Sequence, residues 1–271
     1  MFSYKGIKDI RIIAGPCSAE TREQLFSTAE ELHRIGINIL RAGIWKPRTH
    51  AHTFEGVGEI GLGWLREVQK ELGMKVSTEV GNVKHIELAL KYGIDIIWIG
   101  ARTTVNPFLM QELADALRGV DIPVMVKNPV CPDIELWAGG IERLQDSGIR
   151  KLSLIHRGFS LLDNSPYRNS PCLDLGMSMK KRFPEIPVYC DPSHICGKRE
   201  LLADLSAEAL EAGMDGLMIE SHCHPENAWS DARQQLTPAA LAKMLSELGI
   251  QKHSEAGYQF NAIGKPCILP I

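Results

Sequence analysis

The sequence has no apolar run approaching the roughly 18 residues of a membrane span, which excludes an integral helical membrane protein. Its start, Met-Phe-Ser-Tyr-Lys, lacks the charged-then-apolar order of a secretory signal. Charge of either sign is not in excess. Thirty Lys and Arg stand against 33 Asp and Glu, a net charge of −3, so no global field draws the chain to nucleic acid or to an anionic membrane. None of the seven cysteines forms a C-x-x-C pair, and their odd number argues against a disulfide framework. Reduced thiols in a cytoplasm are the expectation, most of them acting as small buried hydrophobes. No G-x-G-x-x-G follows the first apolar run, which weighs against a dinucleotide-binding fold.

What is present is 271 residues, 44% apolar and 23% charged, enough for one α/β barrel or two small domains. Short β-rich runs alternate with helical stretches. Strands are expected over residues 11–15, 37–42, 75–80, 94–100, 123–127, 151–156, 187–190 and 216–219. Helices are expected over 19–35, 62–72, 83–92, 133–147 and 200–212. A further one is opened by Asn106-Pro107, and a last one runs from Thr237-Pro238 to about residue 248. Glycine recurs where a left-handed C-cap is wanted, at Gly36, Gly93, Gly148 and Gly213. Eight strands alternating with helices predict an α/β protein of the (β/α)8 TIM-barrel type, with a doubly wound open sheet as the alternative. The barrel is expected to be a single catalytic domain over residues 1–248. Residues 249–271 form a tail of no usable periodicity.

In such a barrel the site is built at the C-terminal ends of the strands. Polar residues fall there in phase: Cys17, Arg41, Glu79, Arg102, Lys127, His156-Arg157, His194 and Glu220. Any one of them could be a solvated loop residue, but scattered surface charges would not track eight strand ends. Arg41, Arg102, Lys127 and Arg157, with Lys46 and Arg48 just beyond strand two, imply an anionic substrate bearing carboxylate or phosphate. Cys17, His194, Glu220 and Asp231 form a second constellation, since strands seven, eight and one become neighbours when a barrel closes. A thiolate, an imidazole and two carboxylates suit a divalent transition metal. The other reading of this set is a buried cysteine beside a hydrogen-bonded histidine. His222 and His224 compete as ligands, and Asp191 is a candidate to orient His194.

The motifs together resemble one family. Ala14-Gly15-Pro16-Cys17-Ser18, Arg41-Ala42-Gly43, Lys46-Pro47-Arg48-Thr49 and Phe54-Glu55-Gly56 come first. Gly100-Ala101-Arg102, Lys127-Asn128, His156-Arg157-Gly158, Asp191-Pro192-Ser193-His194, Glu220-Ser221-His222 and Ser230-Asp231 then follow in order. From about residue 11 to 248 the chain resembles the 3-deoxy-D-arabino-heptulosonate 7-phosphate (DAHP) synthases. The resemblance implies condensation of phosphoenolpyruvate with erythrose 4-phosphate, the first step of the shikimate pathway to the aromatic amino acids. It implies Cys17, His194, Glu220 and Asp231 as ligands of one divalent ion, manganese foremost, with cobalt, iron or zinc as alternatives.

By the same resemblance, Arg102 and Arg157 hold the enolpyruvate phosphate, Arg41 and Lys127 its carboxylate, and Arg48 and Thr49 the aldose phosphate. Gly100, Ala101 and His156 join the substrate-binding set. Lys46 sits between the substrates, and Glu79 or a water near it activates the attacking water. A homodimer or homotetramer is the expected assembly. With no room for a regulatory domain, inhibition by phenylalanine, tyrosine or tryptophan is expected to be absent or weak. The alternative is the sister family that makes 3-deoxy-D-manno-octulosonate 8-phosphate from arabinose 5-phosphate. That family carries a Lys-Ala-Asn-Arg-like stretch where this chain has Lys46-Pro47-Arg48-Thr49. A non-catalytic phosphate-binding barrel is disfavoured by the joint presence of both residue sets. The His50-Ala51-His52 stretch and Cys196 have no reading in the family pattern.

Overall fold

The structure is a computed structural model that describes residues 10–162, 164–253 and 257–260. Eight parallel strands close a barrel in sequence order: β1 (Arg11–Gly15), β2 (Ile39–Arg41), β3 (Lys75–Val80), β4 (Ile96–Ile99), β5 (Val124–Lys127), β6 (Leu152–His156), β7 (Val188–Cys190) and β8 (Gly216–Glu220). The seam between β8 and β1 runs from Arg11↔Gly216 to Gly15↔Glu220. Around it lie α1 (Arg22–Arg34), α2 (Ile60–Leu72), α3 (Val83–Lys91), α4 (Ala101–Thr104), α5 (Pro107–Ala116), α6 (Ile134–Asp146), α7 (Leu173–Arg182), α8 (Pro192–Cys196), α9 (Leu202–Glu211) and α10 (Pro238–Glu247). The expected (β/α)8 architecture is therefore the observed one, a TIM barrel. Among the described residues no helix is long and apolar enough to cross a membrane.

The helix starts follow from capping. Thr21 Oγ1 accepts the N–H of Gln24 at 3.0 Å, so α1 begins at Arg22 and not at residue 19. Asn106 caps α5 ahead of Pro107, and Thr237 caps α10 ahead of Pro238. The four expected C-cap glycines all have positive φ, between 70° at Gly93 and 101° at Gly213. Helix α7 was not expected. Its N-terminal flank, Cys172, supplies no side-chain cap. Gly176 interrupts its pattern because the His156 ring lies against that turn; a Cβ there would come 3.0 Å from the ring. Part of the tail is also ordered: β9 (Ile250–His253) pairs antiparallel with β10 (Gly257–Phe260). Residues 254–256 and 261–271 of the tail lie outside the described residues.

The strands sort their side chains with period two. Ile13, Ile39, Ile96, Trp98, Met125, Ile155, Tyr189 and Met218 fill the barrel interior. Their neighbours Ile12, Leu40, Ile97, Val124, Leu154, Val188 and Leu217 pack under the helices in a second, larger core. Each fully buried aliphatic side chain contributes about 1.5–3 kcal/mol. One step of two residues beyond the interior layer lies Arg41, Lys127, Arg157, Asp191 or Glu220 on five of the strands. The fold thus delivers these five to the C-terminal mouth by register alone.

Candidate active site

Cys17, His194 and Asp231 each present one ligand atom, and the three atoms lie within 4.8 Å of one another. Cys17 leaves the end of β1, and its Sγ is 3.0 Å from Asp231 Oδ2. His194 sits in α8, whose N-cap is Asp191. Asp191 Oδ1 accepts the His194 backbone N–H at 3.1 Å, and Oδ2 is 2.8 Å from Nδ1. With Nδ1 donating to Asp191, Nε2 carries the lone pair that faces the cluster. Asp231 stands on the β8–α10 loop with φ 52°, a left-handed backbone.

Glu220, the fourth expected ligand, borders this group. Its Oε1 is 3.6 Å from His194 Nε2 and 3.2 Å from Arg41 Nη2, yet it is buried without an aligned hydrogen bond. Its Oε2 accepts from Gln234 Nε2 at 2.7 Å. A buried carboxylate oxygen left without a donor is costly, and a cation would satisfy it. The donor set of thiol, imidazole and carboxylates fits a divalent transition ion. Burial opposes ionisation of Asp231, but His194 and Lys46 outweigh it and hold the carboxyl below its usual range. Burial, reinforced by Glu220, pushes the Cys17 thiol up. Binding of a cation therefore has to displace a proton from Cys17.

Lys46 reaches the same place from the loop after β2. Its Nζ is 2.6 Å from Cys17 Sγ and 4.0 Å from Asp231 Oδ2. Burial would lower this ammonium, but the Glu220 and Asp231 carboxylates and its hydrogen bond to Cys17 raise it, so Lys46 stays protonated. The loop returns at Gly56, φ 99°, where a Cβ would stand 2.2 Å from the carbonyl oxygen of Ile44.

Above these groups opens a cavity of about 260 Å3. Lys46, Arg48, Thr49, Glu79, Gly100, Ala101, Arg102, Lys127, Arg157, His194 and Asp231 line it. Cys17, Arg41 and Glu220 are fully or almost fully buried. Arg41 stacks 5.1 Å over the Trp98 ring, and its Nε and Nη1 have no hydrogen-bond partner. Lys127 Nζ bonds Asp191 Oδ2 at 2.7 Å. Arg157 Nη1 donates to Asn169 Oδ1 at 2.8 Å. Burial weakens the Arg157 cation, to a pKa of about 10, which leaves it charged at neutral pH. Arg48 Nε donates to the carbonyl of Phe54 at 2.9 Å, which aims its guanidinium. Glu79 Oε2 accepts from Trp98 Nε1 at 3.0 Å. Its other oxygen lies 2.1 Å from where a Cβ on Gly100 would stand, so glycine there leaves the carboxylate in its present position.

One expected substrate residue is elsewhere. His156 is out of phase with Ile155 and Arg157 and points away from the mouth, into the helix layer. It packs near Trp137 and Phe159, and its Nε2 meets the carbonyl of Pro171. Burial depresses its pKa to about 4, which keeps it neutral. The sequence expectation of a substrate contact is corrected here: His156 supports the wall behind Arg157. His222 and His224 are also outside the ligand cluster. His222 Nδ1 accepts the N–H of His224, and its Nε2 faces Glu20 at 3.5 Å.

Sequence reasoning missed Arg168 and Asn169 on the β6–α7 loop, and Gln234, the donor to Glu220. None stands at a strand end, so no periodic signal marks them. Arg168 lines the cavity and donates to Asp231 Oδ1 at 2.8 Å.

Comparisons with known proteins identify relatives of the whole barrel. Residues 4–254 match the DAHP synthetase I family. The chain is 36% identical over 238 residues to a phospho-2-dehydro-3-deoxyheptonate aldolase of Thermotoga maritima, covering 88% of this chain and 68% of the relative. It is 26% identical over 262 residues to a 2-dehydro-3-deoxyphosphooctonate aldolase of Wolinella succinogenes, covering 88% of this chain and 97% of the relative. Among solved structures, the Thermotoga maritima phospho-2-dehydro-3-deoxyheptonate aldolase (DAHP synthase) superposes with a TM-score of 0.80 at 34% identity, over 89% of this chain and 68% of that one. A truncated form of the 3-deoxy-D-arabino-heptulosonate 7-phosphate synthase from the same organism gives 0.77 at 32% identity, over 89% and 86%. With its sequence and its barrel both matched by these relatives, the chain belongs to the DAHP synthetase I family.

Proposed function

We propose that this chain is a 3-deoxy-D-arabino-heptulosonate 7-phosphate synthase, condensing phosphoenolpyruvate with erythrose 4-phosphate and water and releasing phosphate, at the entry to the shikimate pathway. One observation carries the reading: a single cavity brings the Cys17–His194–Asp231 cluster together with Lys46, Arg48, Arg102, Lys127 and Arg157. A binding site for two phosphorylated acids or sugars needs those cations, and a carbonyl to be attacked needs an electrophilic centre beside them.

Arg102 and Arg157 take the enolpyruvate phosphate. Arg41, with its unpartnered buried N–H groups, and Lys127 take its carboxylate. Arg48 and Thr49 take the aldose phosphate, and Gly100 and Ala101 leave room at the cavity wall. Cys17, His194, Glu220 and Asp231 would hold a divalent ion, manganese foremost and cobalt, iron or zinc as alternatives, which would supply Lewis-acid chemistry toward the aldehyde oxygen. The enol carbon bonds to the aldehyde carbon, and Lys46 gives its proton to the oxygen that becomes a hydroxyl. Water adds to the cationic C2 and loses a proton toward Glu79. The C2–O bond to phosphate then breaks as the remaining hydroxyl proton passes to the leaving phosphate, leaving the ketone. Glu79 is placed for this by Trp98 and by the missing side chain at Gly100.

The same reading makes the barrel through α10 the whole catalytic unit, a homodimer or homotetramer of it the assembly, and the cytoplasm its location. The reaction tests it directly. Purified protein supplied with a divalent ion and phosphoenolpyruvate releases phosphate with erythrose 4-phosphate, and far more slowly with arabinose 5-phosphate. Preference for arabinose 5-phosphate would assign the chain to the octulosonate reaction, and no turnover with either would remove the proposal.

A further inference from the structure

Two adjacent residues on the β6–α7 loop touch both halves of the site. Asn169, 4% exposed, accepts from Arg157 Nη1 at 2.8 Å and donates through Nδ2 to the carbonyl of His194 at 2.7 Å. Arg168 donates from Nη1 to Asp231 Oδ1 at 2.8 Å and to Gln234 Oε1 at 2.9 Å. Gln234 in turn holds Glu220. The dipeptide is itself fixed, because both backbone N–H groups converge on the carbonyl of Ile195, at 2.9 and 3.1 Å. Gly197, φ 68°, lets the two segments approach; a Cβ there would stand 2.6 Å from Arg168 Cβ. The carboxylate and the amide are met by Nη1 alone. The N–H groups on Nε and Nη2 of Arg168 have no protein acceptor among the described residues, although the side chain lines the cavity.

Arg168 is also one of three arginines whose charges press on one another. Arg102 and Arg168 both act on the Arg157 guanidinium, and all three line the same cavity. Clustered guanidiniums with donors to spare match a tetrahedral dianion better than a single carboxylate. Resting on the reading above, that the Arg102–Arg157 end of the cavity takes a phosphate, we propose that Arg168 is a third phosphate-binding guanidinium there, aimed by Asp231, with Asn169 holding Arg157 beside it. The phosphate end and the Asp231 carboxylate then share one side chain. The order of contacts is phosphate, Arg168, Asp231, with Gln234 and Glu220 joined to the same fork.

The test uses inorganic phosphate as the probe, measured calorimetrically on the full chain with its divalent ion present. Arg168→Gln keeps an N–H donor for Asp231 but removes the charge, and Arg168→Lys keeps the charge without the fork. Phosphate binding is expected to weaken about tenfold or more in Arg168→Gln, with part of the loss recovered in Arg168→Lys. The KM for phosphoenolpyruvate should rise by a similar factor, while that for erythrose 4-phosphate moves less than about twofold. Melting curves confirm that each variant is folded. Phosphate affinity unchanged within about twofold in Arg168→Gln, or absent in the native chain, overturns the proposal. Arg168-dependent phosphate binding in a native chain that turns over neither aldose would keep the proposal and remove the synthase reading instead.

Discussion

Arg48 and Arg102 enter the mouth from different strands, and on the proposed reading each serves a different anion. Arg48 follows β2 and is aimed by the Phe54 carbonyl, while Arg102 lies in α4 after β4. Each keeps guanidinium donors for a ligand. Arg48→Ala is therefore expected to raise the KM for erythrose 4-phosphate far more than that for phosphoenolpyruvate, and Arg102→Ala to do the reverse. A lost charge-assisted contact costs about 1.5–3 kcal/mol, roughly ten- to a hundredfold. Steady-state kinetics with each substrate varied in turn decide this, and a loss at the same substrate in both variants would refute the division. His156 makes a different kind of prediction. Its folded pKa of about 4 lies below the ordinary histidine value near 6.5. The unfolded chain therefore binds the extra proton first, so stability is full above about pH 6.5 and falls as pH drops toward 4. The whole window is worth about 3 kcal/mol. In His156→Phe that part of the slope should vanish, so urea unfolding of the two proteins at pH 7 and pH 5 should give a smaller loss for the variant. Parallel losses would mean that the ring is solvated.

The elements show where sequence alone suffices. The eight strands and four C-cap glycines were legible because apolar runs and left-handed caps are local signals. Boundaries moved where a side-chain cap intervened, as Thr21 does for α1. Helix α7 was illegible, since its glycine answers to the His156 ring across the interface and not to its own turn. His156 was misassigned by counting strand ends without counting phase: Ile155 faces inward, so the next residue faces out. Arg168 and Asn169 could not be placed at all, because their roles depend on how two loops meet. Glycine also separates two kinds of cost here. Gly93 has φ 70° and open space around its missing Cβ, so Gly93→Ala should lose only about 1 kcal/mol. Gly216 sits in the closing seam, where a Cβ would stand 2.1 Å from the carbonyl oxygen of Arg11. Gly216→Ala should cost about 3 kcal/mol or more, because backbone on two strands has to move. Denaturant melts of both variants check the ranking, and equal losses would show that the seam yields.

At the scale of the molecule, a net charge of −3 coexists with a mouth rich in cations, and the barrel's closure explains how the opposing ligands stay together. Cys17 follows β1, His194 follows β7, and Glu220 and Asp231 belong to β8 and its loop, so the cluster sits over the seam where the first and last strands pair. In an unfolded chain Cys17 lies more than 170 positions from the other three residues, so no such site is presented. An ion bound here therefore binds the native state and stabilises the whole fold by mass action. At a free ion concentration about a hundred times Kd the gain is about 2.7 kcal/mol, which for a domain of this size raises the melting temperature by roughly 5–10 °C. Protein treated with chelator should melt lower by that amount and recover on addition of manganese. Cys17→Ala should remove the shift while changing the melting of the chelated protein little, since the thiol contributes few packing atoms at a strand end. The measurement needs no turnover, so it separates a metal site from a cysteine that is merely buried beside a histidine. Identical melting of native protein with chelator and with manganese would favour the buried cysteine.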